Sequence, residues 1–326
     1  MSVIGHRRGG PPAGVEPLPR TTRITSPSSA PIESLQLAAV RRLDGLLAGD
    51  HAGLFPGHGT ERGEARPYVP GDDPRHIDWA VTARTNDPHV RDTIADHELE
   101  LWLVLDTSSS HAFGTGRSTK HELAWTAAGA FALLASRGGN RIGGVASGTG
   151  GRLIPARSGR AHVAAVLTAL RTPPADGDAG DLARAIRLVR KTAKRRGMAI
   201  VVSDFLGEPT WERSLRALTA RHEVIAVQVN DRREFELPAV GLIAVVDPET
   251  GRRRVVDTAD HGVRERYAAL AARRQLALTS RLASTGVDHL LLRTDRDWVL
   301  DVVRFVGQRR TRRRTASAAA RPLVRT

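Results

Sequence analysis

The 326 residues suffice for two average domains or one large α/β domain with additions, and 49 Lys and Arg against 35 Asp and Glu give a formal charge of +14. That excess sits at the ends: residues 1–25 contribute +3 (four Arg, one Glu) and residues 309–326 contribute +7 (seven Arg, no acid), leaving 14 − 3 − 7 = +4 for the rest. The lack of cysteine excludes disulfides, thiolate zinc sites and a cysteine nucleophile, and the longest uncharged apolar stretch, the 14 residues Leu123–Ser136, falls short of the ~20 that span a bilayer.

Residues 1–30, rich in Pro, Gly, Ser and Arg, are expected to be disordered, and MSVIGHRRGGPPAG lacks the apolar core of a signal peptide. A soluble, cytoplasmic protein is the simplest expectation. Leu35, Val40, Leu43, Leu46 and Leu47 recur at helical intervals and predict a helix over Ile32–Leu47, with Pro31 suited to its first turn. Gly, Pro, Asp and His dominate 48–96, which predicts loops and small strands and no helix.

From Glu100 a regular alternation begins. Strands are predicted at 101–106, 141–147, 151–156, 199–204, 223–229 and 287–294, and helices at 120–136, 159–171, 181–196, 209–221, 260–283 and 298–310. The strands at 141–147 and 151–156, joined by a Gly-rich turn, read as an antiparallel hairpin. An insertion at 231–259 carries GLIAVVD and RRRVVDT around the turn sequence PETG. Strands alternating with helices imply an α/β fold, doubly wound, with a mainly parallel sheet, one antiparallel edge strand and a small β-rich extension from 53–96 and 231–259. The expected organisation is a disordered 1–30, an extension over 31–98, a main domain over 99–308 and a disordered Arg-rich tail over 309–326. A charge run of that kind is commonly a solvated one, and no recognition motif or stacking aromatics accompany it, so no specific nucleic acid is expected.

The strongest chemical signal is Asp106-Thr107-Ser108-Ser109-Ser110, a D-x-S-x-S directly after a buried-looking strand, at the edge where open α/β sheets bind ligands. Two hydroxyls and a carboxylate alternating in a tight loop can point at one hard cation such as Mg²⁺, which takes oxygen ligands and keeps some waters. The same residues can also merely cap backbone N–H groups. Asp204 ends the strand AIVVSD at the same edge and would face Asp106 if the two strands are neighbours.

This order of strands, with D-x-S-x-S after the first and Asp after the fourth, resembles a von Willebrand factor A domain. The resemblance implies a metal-ion-dependent adhesion site for Mg²⁺ (or Mn²⁺), with Ser108 and Ser110 as direct ligands and Asp106 and Asp204 acting directly or through water. That fold normally adds a Thr where this chain has Gly180; Asp181, adjacent, is the alternative donor. Upstream, Tyr68, Gly71, Asp72, Asp73, Arg75, Ile77, Asp78 and Trp79 form Y-x-x-G-D-D-x-R-x-I-D-W, followed by Thr82-Ala83-Arg84-Thr85. This string, with Asp231-Arg232-Arg233-Glu234, Leu237-Pro238 and Asp247-Pro248-Glu249-Thr250-Gly251, closely resembles the family catalogued as domain of unknown function 58, over about Gly53 to Gly307. Many members of that family have Met where His111 stands here, and many carry N-terminal membrane helices, a segment not found in these residues.

The family resemblance implies a non-enzymatic, metal-dependent protein-binding module that pairs with a MoxR-type AAA+ ATPase in chaperone-like assembly or activation of an unidentified client. Two alternatives stay open from the residues: a metal-dependent hydrolase built on Asp72, Asp73, His76 and Asp78, or a basic nucleic-acid-binding scaffold. Pro-Gly-Asp-Asp-Pro is also a turn sequence, and Arg75 and Arg84 could pair with its carboxylates in a structural knot or present a partner surface. His58, His76, His89, His97 and His111 have no H-x-x-x-H spacing, so zinc is not expected. No phosphate loop and no G-x-S-x-G elbow occur; Gly114–Lys120 has the wrong arrangement for the former.

Overall fold

A computed structural model describes residues 32–47, 65–70, 72–74, 77–91, 99–148, 151–173, 177–246 and 252–319. In chain order the elements are α1 (Ile32–Leu47), β1 (Ala65–Pro67), α2 (Trp79–Thr85), β2 (His89–Arg91), β3 (Glu100–Leu105), α3 (Lys120–Arg137), β4 (Arg141–Ala146), β5 (Ile154–Arg157), α4 (Arg160–Leu170), α5 (Leu182–Thr192) and β6 (Gly197–Ser203). They continue as α6 (Trp211–Thr219), β7 (Glu223–Asn230), β8 (Leu242–Val246), β9 (Arg253–Asp257), α7 (His261–Ser284), β10 (Asp288–Arg293) and α8 (Trp298–Ala319).

Six strands form one sheet in the order β10-β7-β6-β3-β4-β5, parallel throughout except for the antiparallel β4–β5 edge. The fold is therefore α/β with a mainly parallel sheet covered on both faces. Every residue of β3 is buried, as a central strand of such a sheet requires. Its side chains alternate: Leu101, Leu103 and Leu105 pack with α1, α3, α4 and α8, while Trp102 and Val104 pack with α5, α6 and α7. The Trp102 ring fills the space beside Gly143, where an added Cβ would lie 2.7 Å from it; only glycine fits there. β3 pairs directly with β6, Leu105 opposite Val202, so the chain leaves both strands side by side at the carboxyl edge.

The expected β-rich additions are two separate two-stranded sheets, β1–β2 and β8–β9, the latter in register Leu242↔Asp257; the turn sequence 248–251 lies outside the described residues. Two expectations are corrected. A helix, α2, stands within 48–96, where none was expected: Asp78 caps it by accepting from Ala80 and Val81 N–H, and Asn86 ends it in the left-handed conformation. It is seven residues, about two turns, long and buries no residue, so it has no apolar stripe to read. The last helix also runs to Ala319, into the segment expected to be disordered. Arg309, read as part of a solvated charge run, is 3 % exposed and bridges Glu223 (2.8 Å) and Asp288 (2.5 Å). No helix among the described residues is long and apolar enough to cross a membrane.

Candidate metal centre

The loop after β3 bends back on itself. Asp106 Oδ1 accepts from the Ser108 N–H (3.0 Å), a local turn that aims the next side chains inward, and Ser109–Ala112 forms a short 3-10 turn. Ser108 Oγ and Ser110 Oγ lie 3.2 Å apart, and Ser110 Oγ donates to Asp204 Oδ2 (2.7 Å). The four residues singled out by motif, Asp106, Ser108, Ser110 and Asp204, are thus joined by consecutive hydrogen bonds, through the Ser108 N–H and then the two hydroxyls, and all four are buried. A partner-accessible loop in the open, as a ligand-binding edge suggests, is not what is found; this one is enclosed.

A second layer orients these donors. Ser147 Oγ donates to Asp106 Oδ1 (2.8 Å) and Ser203 Oγ to Asp106 Oδ2 (2.6 Å), so the ends of β4 and β6 hold the carboxylate between them. Phe205, after Asp204, has a positive φ of 55°, rare for a bulky residue. Its N–H donates to Ser203 Oγ (2.9 Å), and its ring packs edge-on against Trp211 at 5.2 Å. This strained residue turns the chain so that the Leu206 N–H reaches Asp204 Oδ1 (3.1 Å).

Three residues that the motif does not contain complete the centre. His111 is fully buried; its Nε2 accepts from the Asp204 N–H (3.3 Å) and lies 3.7 Å from Asp106 Oδ2, while its Nδ1 has no partner among the described residues. Lys120, at the start of α3 and 1 % exposed, donates to Asp204 Oδ2 (2.7 Å) and Glu234 Oε1 (2.5 Å). Burial works to raise the Asp204 carboxyl, but Lys120, His111 and the Ser110 hydrogen bond together hold it below the usual carboxylate range. Burial likewise works to lower the Lys120 ammonium, and its two carboxylates raise it above its ordinary value. Glu234 comes from the root of the insertion. There Asp231, fully buried, accepts from Thr115 N–H (2.7 Å) and Oγ1 (2.6 Å), Thr294 Oγ1 (2.6 Å) and Arg233 N–H (2.9 Å), while its own N–H donates to Glu234 Oε2 (3.0 Å).

Gly180 does stand at the centre, but not as a position awaiting a threonine. Its φ is +61°, and a Cβ there would lie 3.0 Å from Ser147 Oγ, 3.3 Å from Ser108 Cβ and 3.5 Å from Asp106 Oδ1. Asp181, the alternative donor, does not join the cluster: it caps α5, accepting from the Arg184 N–H (2.6 Å), with its carboxylate half exposed 3.8 Å from Arg187. The residue that does reach this loop is Asp178, through its backbone oxygen, which accepts from the Ser109 N–H (2.7 Å), while its carboxylate Oδ1 accepts from the Gly180 N–H (2.9 Å).

Ligand atoms of Asp106, His111 and Asp204 all lie within 4.8 Å of one another, so this buried cluster can hold a metal ion. The donor set fits a hard cation: two carboxylates and two hydroxyls, oriented in advance, with one imidazole at the side. Its charge is reduced by Lys120. In the upstream string, Asp72 pairs with Arg66 (2.7 Å) and accepts from the Val69 N–H (2.9 Å), and these bonds, with Arg66 first, hold it down at about 2. Asp78 caps α2, Trp79 is exposed, and Tyr68 donates its N–H to Pro88 O; among the described residues the ion-pair partner of Asp72 is Arg66. Gly71, Arg75 and His76 lie outside the described residues.

A protein family described as protein of unknown function DUF58 matches residues 64–277. The chain belongs to the DUF58 family. Relatives include the uncharacterized protein Rv1480 of Mycobacterium tuberculosis and Mb1516 of Mycobacterium bovis, each 48% identical over 285 residues, 86% of this chain and 90% of theirs. Among solved structures, this DUF58 chain is similar to the conserved hypothetical protein BatB of Bacteroides thetaiotaomicron (13% identical, TM-score 0.42, covering 65% of this chain and 99% of that one). It is also similar to a von Willebrand factor type A protein of Catenulispora acidiphila (15% identical, TM-score 0.32, covering 44% and 34%).

Proposed function

We propose that this DUF58 protein is a von Willebrand factor A-like binding module that holds Mg²⁺ (or Mn²⁺) through Asp106, Ser108, Ser110 and Asp204. On this reading it is non-enzymatic and engages another protein through that ion. The observation that carries the reading is the buried hydrogen-bonded run from Asp106 through the Ser108 N–H and the Ser108 and Ser110 hydroxyls to Asp204, with the two carboxylates within 4.8 Å of one another at the carboxyl edge of the sheet. A divalent ion there would supply a positive centre for an anionic group of a partner. The protein's own residues do the rest: Ser147 and Ser203 fix the Asp106 carboxylate, Ser110 keeps its lone pairs turned away from Asp204 by donating its proton, and Lys120 holds Asp204 in place. Gly180 adds no side-chain donor beside Ser108, so the ion's remaining positions fall to water or, once the enclosing loop moves aside, to a partner's carboxylate. The partner we infer is a MoxR-type AAA+ ATPase, which would supply the energy for assembly or activation of a client; the resemblance of the Tyr68–Trp79 string and the insertion supports this pairing.

Titration calorimetry tests the site and co-purification tests the partner. Mg²⁺ or Mn²⁺ should bind weakly to the wild type and not to Asp106→Ala. Association with the ATPase should need divalent metal and be lost in Ser110→Ala. Undiminished association in EDTA would overturn the adhesion mechanism.

A further inference from the structure

A concavity opens on the side of the sheet that carries α1, α3 and α8. It has a volume of about 440 Å³ and lies between the first turns of α3 and α8 and the middle of α1. The last strand and β3 both deliver their loops here, at the carboxyl edge, where the Arg117 N–H donates to Thr294 O (3.0 Å). Its apolar wall includes Trp125, buried and donating its indole N–H to Leu167 O (2.9 Å), and Trp298, half buried.

The polar lining is strongly basic. Five arginines face two acids, which gives 5 − 2 = +3. Arg42 is paired with Asp297 (2.6 Å) and Arg293 with Asp295 (2.9 Å), and Glu122 caps α3 by accepting from the Thr119 N–H (2.8 Å). Arg117, Arg171 and Arg296 form no salt bridge among the described residues, although all three are exposed at the same opening. His121 lies in the wall with its Nδ1 buried and without a partner among the described residues. Burial first, and then His111, push its pKa down to about 4, so it adds no charge at neutral pH.

We propose that this cavity binds a small organic phosphate that carries a flat ring, with the ring against the tryptophans and the phosphate among Arg117, Arg171 and Arg296. Guanidinium forks match phosphate oxygens in pairs, and the positive ends of the α3 and α8 dipoles add to the attraction. An indole wall offers offset stacking to a flat ring. The volume is that of a small-molecule site, which favours a compact ligand over an extended acidic peptide. The inference stands apart from the metal centre and survives its failure.

Calorimetry on the full chain in EDTA keeps metal–phosphate complexes out of the measurement. The probes are ADP and FMN, with adenosine and pyrophosphate as ring-only and phosphate-only controls. ADP or FMN should bind with Kd below ~1 mM, and both controls at least about tenfold more weakly. The Arg117→Ala/Arg171→Ala variant should weaken binding at least about tenfold, while Arg190→Ala/Lys191→Ala, with the same charge change on the exposed last turn of α5, should leave it within about twofold. Three results would each overturn the proposal: neither ADP nor FMN binding at ~1 mM, pyrophosphate binding as tightly as ADP, or equal loss in the two double variants.

Discussion

Replacing Lys120 by Met isolates the contribution of the cation built into the centre. Met keeps the length and apolar stem of the lysine but leaves Asp204, 2 % exposed, and the Glu234 carboxylate without their shared ammonium. Removing one partner of a buried ion pair costs about 3–5 kcal/mol, because the remaining charge is desolvated and uncompensated. At roughly 2–4 °C per kcal/mol for a domain of this size, the melting temperature should fall by roughly 6–20 °C. The pH dependence is diagnostic. In the wild type the Asp204 carboxyl lies below its unfolded value, so its contribution is present above pH ~4 and disappears as acid protonates it. In Lys120→Met the burial effect is no longer opposed by the ammonium and raises that carboxyl. The gap between variant and wild type should therefore narrow as pH falls from ~7 to ~4. Urea denaturation at a series of pH values measures it. A variant within about 1 kcal/mol of wild type at pH 7, or a gap independent of pH, would refute the claim that Lys120 holds the site.

Other expectations follow from the same geometry. Gly180→Thr should destabilise by about 1–3 kcal/mol, because a β-branched residue at φ +61° meets Ser147 and Ser108, and should not tighten Mg²⁺ binding; calorimetry showing a stabler protein with a tighter site would contradict this. Arg309→Ala should lower stability by about 1–2 kcal/mol, discounted because Glu223 and Asp288 are partly exposed, whereas deleting residues 312–326 should shift the melting temperature by less than ~2 °C. His121, His222 and His289 are each held below the ordinary histidine range, by burial first. Their folded forms resist protonation, so stability is complete above pH ~6.5 and falls toward pH ~4; at pH 5 His121 alone accounts for ~2 kcal/mol, a loss that His121→Gln should remove in urea denaturation.

Much of the fold could be read in advance because its signals are local and repeated. The alternation from Glu100 onward set out the strands and helices of the parallel sheet, and D-x-S-x-S with Asp204 marked four donors that converge. What escaped was what depends on long-range placement. Lys120 opens a helix in the sequence Ser-Thr-Lys-His-Glu, a composition typical of solvent-exposed first turns, and nothing local says that its stem passes inward to Asp204, 84 residues away. Glu234 was noticed as part of a family string, but its contact with Lys120 spans 114 residues. Asp181 was misread because a helix cap and a metal ligand use the same residue type, and only geometry separates them. Arg309 was grouped with its neighbours by charge, whereas burial of one arginine in a run depends on two acids from distant strands.

The root of the insertion has a consequence for how this chain can change in length. Asp231 ties together the loop after β3, the end of β10 and the turn that presents Glu234 to Lys120. The β8–β9 hairpin beyond it is largely exposed, with Leu242 and Val255 open to solvent and each strand bonded only to the other. Residues can therefore be gained or lost at the hairpin's outer end without disturbing the buried ion pairs, while a single deletion between Asp231 and Glu234 shifts Glu234 away from Lys120 and leaves that ammonium with Asp204 alone. The insertion is thus elastic at its tip and rigid at its base, and length variation among related chains should concentrate between residues 246 and 253 and be absent from 231–234.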